Sequence, residues 1–169
     1  MPTRRLHRLW RHFVTDHRAT RRAFSAATLR QIESAITAGE ARHRGQVRFV
    51  VEPSLPLARV LEAATPRERS LEVFGLARVW DTEENVGVLV YVLLADRDVE
   101  IVADRGIDRR VGAAAWQAVC HAMEAAFRRG EFAQGAQQGI ADINALLERH
   151  FPRAGGDVAN ELPDRPLVL

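Results

Sequence analysis

Apolar residues follow strand spacing in three stretches of the chain and helical spacing around them. Residues 46–52, 86–95 and 98–103 are rich in β-branched residues and predict strands. The flanking segments repeat apolar residues every three or four positions, as amphipathic helices do. Because 86–95 is apolar on both of its alternating faces, it predicts a central strand covered by helices on both sides. The sequence therefore predicts a three-layer α/β/α sandwich with a small mixed sheet.

The start of one helix is especially well marked. Thr65 has the position of an N-cap, a proline follows it, and Glu68 completes a capping box. In the helix that follows, the apolar residues Leu71, Phe74 and Leu76 are predicted to face the core.

A basic amphipathic helix is predicted within residues 1–22, with apolar residues at helical spacing: Leu6, Leu9, Trp10, Phe13 and Val14. This segment carries seven arginines against a single acid, Asp16, and therefore a charge of +6. Two interpretations stay open. The helix adsorbs to an anionic membrane with its aromatic residues inserted, or its apolar stripe packs on the domain or a partner while the arginines stay solvated. The narrowness of the stripe favours packing.

The rest of the chain fits one domain of ordinary size over residues 23–152, followed by an extended tail over 153–169. No lysine occurs, and a small excess of arginine explains a pI of about 9.4 at a net charge of only +2. That pI gives no support to nucleic-acid binding. With one cysteine, no signal-peptide pattern and no run long enough to span a membrane, we expect a cytoplasmic protein, peripheral at the inner membrane if the N-terminal helix adsorbs.

Carboxylates flank one end of the predicted hairpin. Asp81, Glu83 and Glu84 precede its first strand, and in an antiparallel pair the start of one strand lies beside the end of its partner. We therefore expect these acids to lie close to Asp104 and Asp108, which follow the second strand. Carboxylate oxygens suit Ca²⁺ or Mg²⁺, so the sequence predicts a cation site here, against the alternative of a solvated acidic loop. Its ligands would be Asp81, Glu84, Asp104 and Asp108.

Arginines stand beside the second acidic loop. Arg105, Arg109 and Arg110 would hold a phosphate bidentately, or they would neutralise the carboxylates through ordinary ion pairs. Gly106 predicts a turn with positive φ. The edge is therefore a candidate site for a hard cation or a phosphorylated ligand.

The turn of the hairpin, Asp96-Arg97-Asp98, superficially matches the strand–Asp-x-Asp start of aspartyl-phosphate phosphatases. Those enzymes continue into a helix and use a lysine, whereas this chain continues into a strand and contains no lysine. We interpret these residues as a hairpin turn outside the site. Cys120 has helical spacing in an apolar face and is predicted to be a core residue rather than a nucleophile.

Several blocks of sequence together resemble the TPM domain family, named for its thylakoid, phosphatase and worm-modulator members, over residues 24–152. They are Trp-x6-Gly-Val-Leu at 80–89, the Asp/Gly-rich segment at 103–107 and the helix link at 127–132. The chain is most similar to the short cytoplasmic bacterial branch, in which Asn-Glu-Leu-Pro-Asp, here at 160–164, recurs. The resemblance implies an α/β/α fold, divalent-cation binding at the loops closing the sheet in some members, and acid phosphatase activity in a plant relative.

Two functional hypotheses follow. The leading one is a TPM-type accessory or binding module with a cation-responsive acidic edge, acting near the membrane or in a protein complex through residues 1–22. The alternative is a metal-dependent phosphoesterase in which the same acidic loops hold Ca²⁺ or Mg²⁺ and Arg105 or Arg109 stabilises the transferring charge. The sequence shows no evident nucleophile or general base, and this favours the binding module.

Overall fold

A computed structural model describes residues 2–153, 155 and 159–169, and only the backbone of residues 2–4. The helices are α1 (Pro2–Val14), α2 (His17–Ala23), α3 (Ala26–Glu40), α4 (Leu57–Leu61), α5 (Pro66–Leu76), α6 (Arg105–Val111), α7 (Ala113–Arg128) and α8 (Phe132–His150). The strands are β1 (Gln46–Glu52), β2 (Gly87–Leu93), β3 (Asp98–Ala103) and β4 (Leu167–Val168).

The strands form one small mixed sheet in the order β3-β2-β1-β4. β1 is parallel to β2 over its whole length, from Gln46 opposite Gly87 to Glu52 opposite Leu93. β3 is antiparallel to β2, and β4 is parallel to β1. The predicted hairpin is therefore confirmed, with β2 as a fully buried strand.

Helices cover both faces of the sheet, because successive residues of β2 point to opposite sides. On one side α3, α7 and α8 form a core with alternate residues of this strand: Val88, Val90 and Val92. On the other side α4 and α5 cover the intervening ones: Leu89, Tyr91 and Leu93. The predicted three-layer α/β/α sandwich is confirmed.

The start of α5 is as the sequence predicts, but the residues of α5 that face the core are not all the predicted ones. Thr65 and Glu68 form the predicted capping box. Val73 is buried, whereas Leu71 and Leu76 are 51% and 75% exposed. Since an α-helix turns by about 100° per residue, Leu76 cannot share a face with a residue two positions earlier. The prediction that these two leucines face the core is wrong.

The N-terminal basic segment forms two helices instead of a single continuous one. The break falls at Thr15 and Asp16, and the Asp16 side chain caps α2 by accepting from the backbone N–H groups of Arg18 and Ala19, both at 2.9 Å. At the other end of the chain, positions 154 and 156–158 of the predicted tail lie outside the described residues. The tail ends in β4, which extends the sheet beside β1.

Candidate functional site

The two acidic loops meet at one edge of the sheet, as the hairpin pattern predicts. Val88 pairs with Ala103, so the loop before β2 and the loop after β3 begin side by side. The pairing continues one step further: the Asp104 backbone N–H donates to the Gly87 carbonyl at 2.9 Å. Gln46, the first residue of β1, lies opposite Gly87 and brings a third strand to this edge.

Asp104 is the predicted site residue held most firmly at this edge. Its Oδ2 accepts a hydrogen bond from the Gly87 backbone N–H at 2.8 Å. Burial raises the pKa of the Asp104 carboxyl, and the hydrogen bond from Gly87 acts in the opposite direction. Among the described residues, Oδ1 has no hydrogen-bond partner, so this oxygen can accept from a ligand.

The other predicted cation ligands point elsewhere. Glu84 forms an ion pair with Arg44 at 2.7 Å, and Asp81 pairs with Arg78. Asp108 is exposed in the first turn of α6. Within the part of the chain that the structure describes, no three Asp, Glu, His or Cys side chains are grouped so that they could hold a metal ion. The carboxylates as placed do not form a coordination shell, and the cation site stays a prediction.

The remaining predicted residues of the edge all lie on α6. Arg105 and Arg109 are exposed on this helix. The sequence predicts a positive-φ turn at Gly106, but Gly106 has helical backbone in the first turn of α6, and that prediction is wrong. The chain turns two residues earlier, where Asp104 has φ −54 and ψ 148. A positive φ occurs instead at Gly112, which separates α6 from α7.

The C-terminal tail closes over the same edge. The Gln46 side chain accepts from the backbone N–H groups of Glu161 at 2.8 Å and Leu162 at 3.1 Å. Leu162 is buried, and the Glu161 carboxylate accepts from the Glu83 backbone N–H at 2.8 Å. The block at 160–164 is therefore a docked segment that ties β1 to the first acidic loop.

Glu40 is a buried carboxyl group at this edge that the sequence pattern does not reveal. It ends α3, and its Oε1 accepts from the Val47 backbone N–H at 2.7 Å. Burial raises the pKa of Glu40 to about 8; the Val47 N–H lowers it, and the charge of Asp164 raises it. In the folded protein Glu40 is therefore largely protonated at neutral pH.

We expect Glu40 to make the protein less stable as the pH rises from 4.5 to about 8. In this range the folded state holds a proton on Glu40 that the unfolded chain has released, so a higher pH favours unfolding. Glu40→Gln keeps an acceptor for the Val47 N–H and cannot ionise. Between about pH 5 and about pH 8.5 the free energy of unfolding, measured in urea, should therefore fall by about 4 kcal/mol less in this variant than in the wild-type protein.

The matched control for this measurement is Glu62→Gln, which changes an exposed carboxylate in the same way. It should leave the pH dependence of stability unchanged. Part of the slope should persist in Glu40→Gln, because burial also raises the pKa of Asp98, to about 7. Identical pH profiles for Glu40→Gln and wild type would contradict a protonated Glu40.

The opposite edge of the sheet carries an ion-pair cluster that joins α1 to the turn between β2 and β3. Asp96 Oδ2 lies 3.0 Å from Arg8 Nε and 3.2 Å from His12 Nε2, and its Oδ1 lies 2.9 Å from Arg11 Nη2. Burial acts to raise the pKa of Asp96, but the hydrogen bond from His12 and the charge and hydrogen bond of Arg8 lower it on balance. Asp96, interpreted from sequence as a plain turn residue, is the anchor of α1.

His12 completes the attachment of α1. Its ring is buried, and Nδ1 accepts from the Leu55 backbone N–H at 3.0 Å. In a neutral imidazole the other nitrogen then carries the proton, so Nε2 donates to Asp96. The Arg8 guanidinium adds a hydrogen bond from Nη2 to the Ala64 carbonyl at 2.8 Å.

This attachment turns the apolar stripe of α1 toward solvent. The side of α1 that meets the domain carries Arg8 and His12, with Leu9 partly buried beside them. Large apolar residues on the other side are 48–68% exposed: Leu6, Trp10, Phe13 and Val14. The helix packs on the domain, but through its polar residues rather than through the apolar stripe as predicted. No helix in the described ranges is long and apolar enough to cross a membrane.

Cys120 packs against the larger core, as predicted. Burial raises the pKa of its thiol to about 12. It therefore stays protonated at neutral pH, and the thiolate needed for nucleophilic chemistry does not form.

Comparison with known proteins agrees with the fold. The family model described as TPM domain matches residues 18–146. The NMR structure of the BA42 protein from the psychrophilic bacterium Bizionia argentinensis is similar to this chain, with a TM-score of 0.75 and 27% sequence identity over 86% of this chain and 94% of that one. No curated protein sequence matches the chain. Because the family match begins at residue 18, α1 and its exposed stripe precede the matched segment.

Proposed function

The chain belongs to the TPM domain family, and we propose that it is an accessory binding module that adsorbs to an anionic lipid surface through α1. The lipid-contacting surface, called the α1 face from here on, consists of Leu6, Trp10, Phe13 and Val14. The observation that carries this proposal is the attachment of α1 by its polar side, which leaves these four side chains exposed.

The α1 face is ordered before it meets a membrane. Asp96 holds Arg8, Arg11 and His12, three residues on the polar side of the helix. The rings of Trp10 and Phe13 lie 6.1 Å apart, centroid to centroid. A helix that is already folded loses less entropy on adsorption than a segment that must fold on the surface. Its apolar side can therefore contribute most of its burial energy to binding.

The charge around the α1 face matches an anionic surface. Arg5 and Arg11 are exposed on α1, and α2 adds Arg18, Arg21 and Arg22, all exposed. Each arginine near an anionic leaflet contributes about 1 kcal/mol of attraction. Apolar side chains framed by arginines are the pattern of helices that lie in a membrane interface. α4, which packs against α1, exposes further apolar surface at Leu57 and Leu61.

Two alternatives to lipid binding, self-association through the α1 face and phosphoesterase activity, are less well supported. A second copy of the chain would bring the same arginines to the interface, and like charges oppose such pairing. The phosphoesterase alternative rests on the acidic edge, where Glu84 and Asp81 are paired with arginines. No grouping of carboxylates among the described residues favours it over a binding module.

We expect the protein to float with vesicles of phosphatidylglycerol and phosphatidylcholine, and the variant Trp10→Ser/Phe13→Ser to remain in solution. Burying one large apolar side chain contributes about 1.5–3 kcal/mol, so losing both should reduce partitioning about 100-fold or more. Binding of the wild-type protein should also weaken with added salt and with vesicles of phosphatidylcholine alone.

The control variant is Leu71→Ser/Leu76→Ser, which removes two exposed apolar side chains from α5 instead. It should float like the wild-type protein. Equal loss of flotation in both double variants, or no flotation of the wild-type protein, would overturn the proposal. Sedimentation should show a monomer in each case; a dimer that Trp10→Ser/Phe13→Ser dissociates would assign the α1 face to a second copy.

A further inference from the structure

A groove of about 790 Å³ lies beside the α1 face, at the edge of the sheet opposite the predicted cation site. Its walls come from α1, α2, the turn between β2 and β3, and the link between α7 and α8. The volume is in the range of small-molecule sites, about 300–1,000 Å³. Leu94 and Ala95, which directly follow β2, line the groove. It therefore lies at the carboxyl end of a parallel strand, where open α/β sheets bind their ligands.

Four arginines from four different elements line this groove: Arg11, Arg22, Arg97 and Arg128. Asp96 also lines it, but both of its oxygens are engaged by arginine or histidine. Arg128 pairs with Glu124 at 2.7 Å. Positive charge therefore exceeds negative charge in the groove.

Arg22 and Arg97 supply this excess. Neither forms an ion pair with a carboxylate in the part of the chain that the structure describes. Arg97 has a left-handed backbone, with φ 53, and its Nη1 donates to the Arg128 carbonyl at 3.2 Å. This hydrogen bond holds the Arg97 side chain beside Arg128 at the groove. The other N–H groups of the Arg97 guanidinium remain free for a ligand.

We propose that this groove binds a phosphate-bearing anion, either a free phosphate compound or the phosphomonoester headgroup of a lipid. Guanidinium groups bind phosphate oxygens in pairs of hydrogen bonds. Arg22 and Arg97, with no carboxylate partner among the described residues and two further arginines beside them, suit a tetrahedral dianion better than a planar carboxylate with one charge. Val14 belongs to both the α1 face and the groove, but Trp10 and Phe13 do not line the groove, so replacing those two residues tests the α1 face without changing the groove's walls.

The first arm of the test is calorimetric titration of the full chain with inorganic pyrophosphate. The second compares vesicle binding with phosphatidic acid and with phosphatidylserine at equal surface charge. In each arm the variant Arg22→Gln/Arg97→Gln is set against Arg18→Gln/Arg21→Gln, which removes the same charge from exposed positions on α2 outside the groove. Thermal melting of each variant checks folding, and Arg22→Gln alone removes no hydrogen bond among the described residues.

We expect Arg22→Gln/Arg97→Gln to weaken pyrophosphate binding about tenfold or more, and Arg18→Gln/Arg21→Gln to change it by about twofold or less. Both double variants lose two arginines that attract anionic vesicles, so in the vesicle arm the quantity compared is the preference for phosphatidic acid over phosphatidylserine, which should fall only in Arg22→Gln/Arg97→Gln. Loss of pyrophosphate binding in the groove variant assigns the site to a free phosphate compound. Loss confined to phosphatidic acid vesicles assigns it to a lipid headgroup. Equal effects of the two double variants in both arms, or saturable binding in neither arm, would overturn the proposal. Trp10→Ser/Phe13→Ser should retain pyrophosphate binding, so failure of this site and failure of the α1 face are separable.

Discussion

Gly87→Ala is expected to destabilise the protein by about 4 kcal/mol or more, because a Cβ at this position has no space. It would lie 1.9 Å from the Val79 carbonyl oxygen and 3.1 Å from Asp104 Oδ2. The first of these atoms belongs to the backbone and cannot rotate away. Either β2 or the segment after α5 must therefore move, and a movement of β2 also disturbs both hydrogen bonds between Gly87 and Asp104.

Urea unfolding measures this effect, and Gly75→Ala is the matched control. Nothing lies within 4 Å of a Cβ placed at Gly75 in α5. Alanine is the better helix former, so this variant should gain about 0.5–1 kcal/mol. The two substitutions are chemically identical and are expected to have opposite signs. A Gly87→Ala variant within about 1 kcal/mol of wild type would show that the contact with Val79 relaxes at little cost.

The meeting of the two acidic loops at one edge of the sheet could be predicted from the sequence, because it follows from local patterns. A run that is apolar at every position, a polar turn and a second alternating run are local patterns, and they specify an antiparallel hairpin without distant information. Hairpin geometry then places Asp104 beside the start of β2, where the structure has it. Side-chain direction is not part of that pattern. The pairing of Glu84 with Arg44 depends on a residue 40 positions away.

The orientation of α1 could not be predicted from the sequence, because it too depends on contacts between residues far apart in the chain. Periodicity separates the apolar side of this helix from its basic side, but it does not say which side meets the domain. That choice depends on His12 and Asp96, which are 84 residues apart, and on the Leu55 N–H, 43 residues from His12. Hydrogen bonds at both nitrogens of the buried His12 hold α1 in an orientation that leaves Trp10 and Phe13 exposed. Docking of the tail on Gln46 is likewise a contact across 115 residues.

Arg69→Met is the second substitution with a large expected effect, because Arg69 neutralises a buried carboxylate. Glu52, the last residue of β1, is 6% exposed. Arg69 reaches it from α5 with two parallel hydrogen bonds, Nε to Oε2 at 2.9 Å and Nη2 to Oε1 at 3.0 Å. The Tyr91 hydroxyl donates to the same Oε2 at 2.6 Å. The hydrogen bonds to Glu52 raise the pKa of Arg69, and burial, followed by the hydrogen bond to Glu52, raises that of Tyr91.

Removing the guanidinium leaves the Glu52 charge buried with the Tyr91 hydroxyl as its remaining donor. We expect Arg69→Met to lower the free energy of unfolding by about 3–5 kcal/mol in urea. Tyr91→Phe removes one hydrogen bond to a charged acceptor and should cost about 1.5–3 kcal/mol. Arg59→Met is the control, because its partner Glu72 is largely exposed, and an exposed pair contributes about 0–1 kcal/mol.

A double substitution separates the value of the ion pair from the cost of breaking it. Glu52→Leu/Arg69→Met removes both charges, and apolar replacements of similar volume often cost little at buried ion pairs. We therefore expect the double variant to be more stable than Arg69→Met alone by about 2 kcal/mol or more. Equal stability of the two variants would mean that Arg69 acts mainly by packing α5 against the sheet. If Arg69→Met were as mild as Arg59→Met, the carboxylate of Glu52 would have to reach water, and the close packing around Tyr91 would have to open.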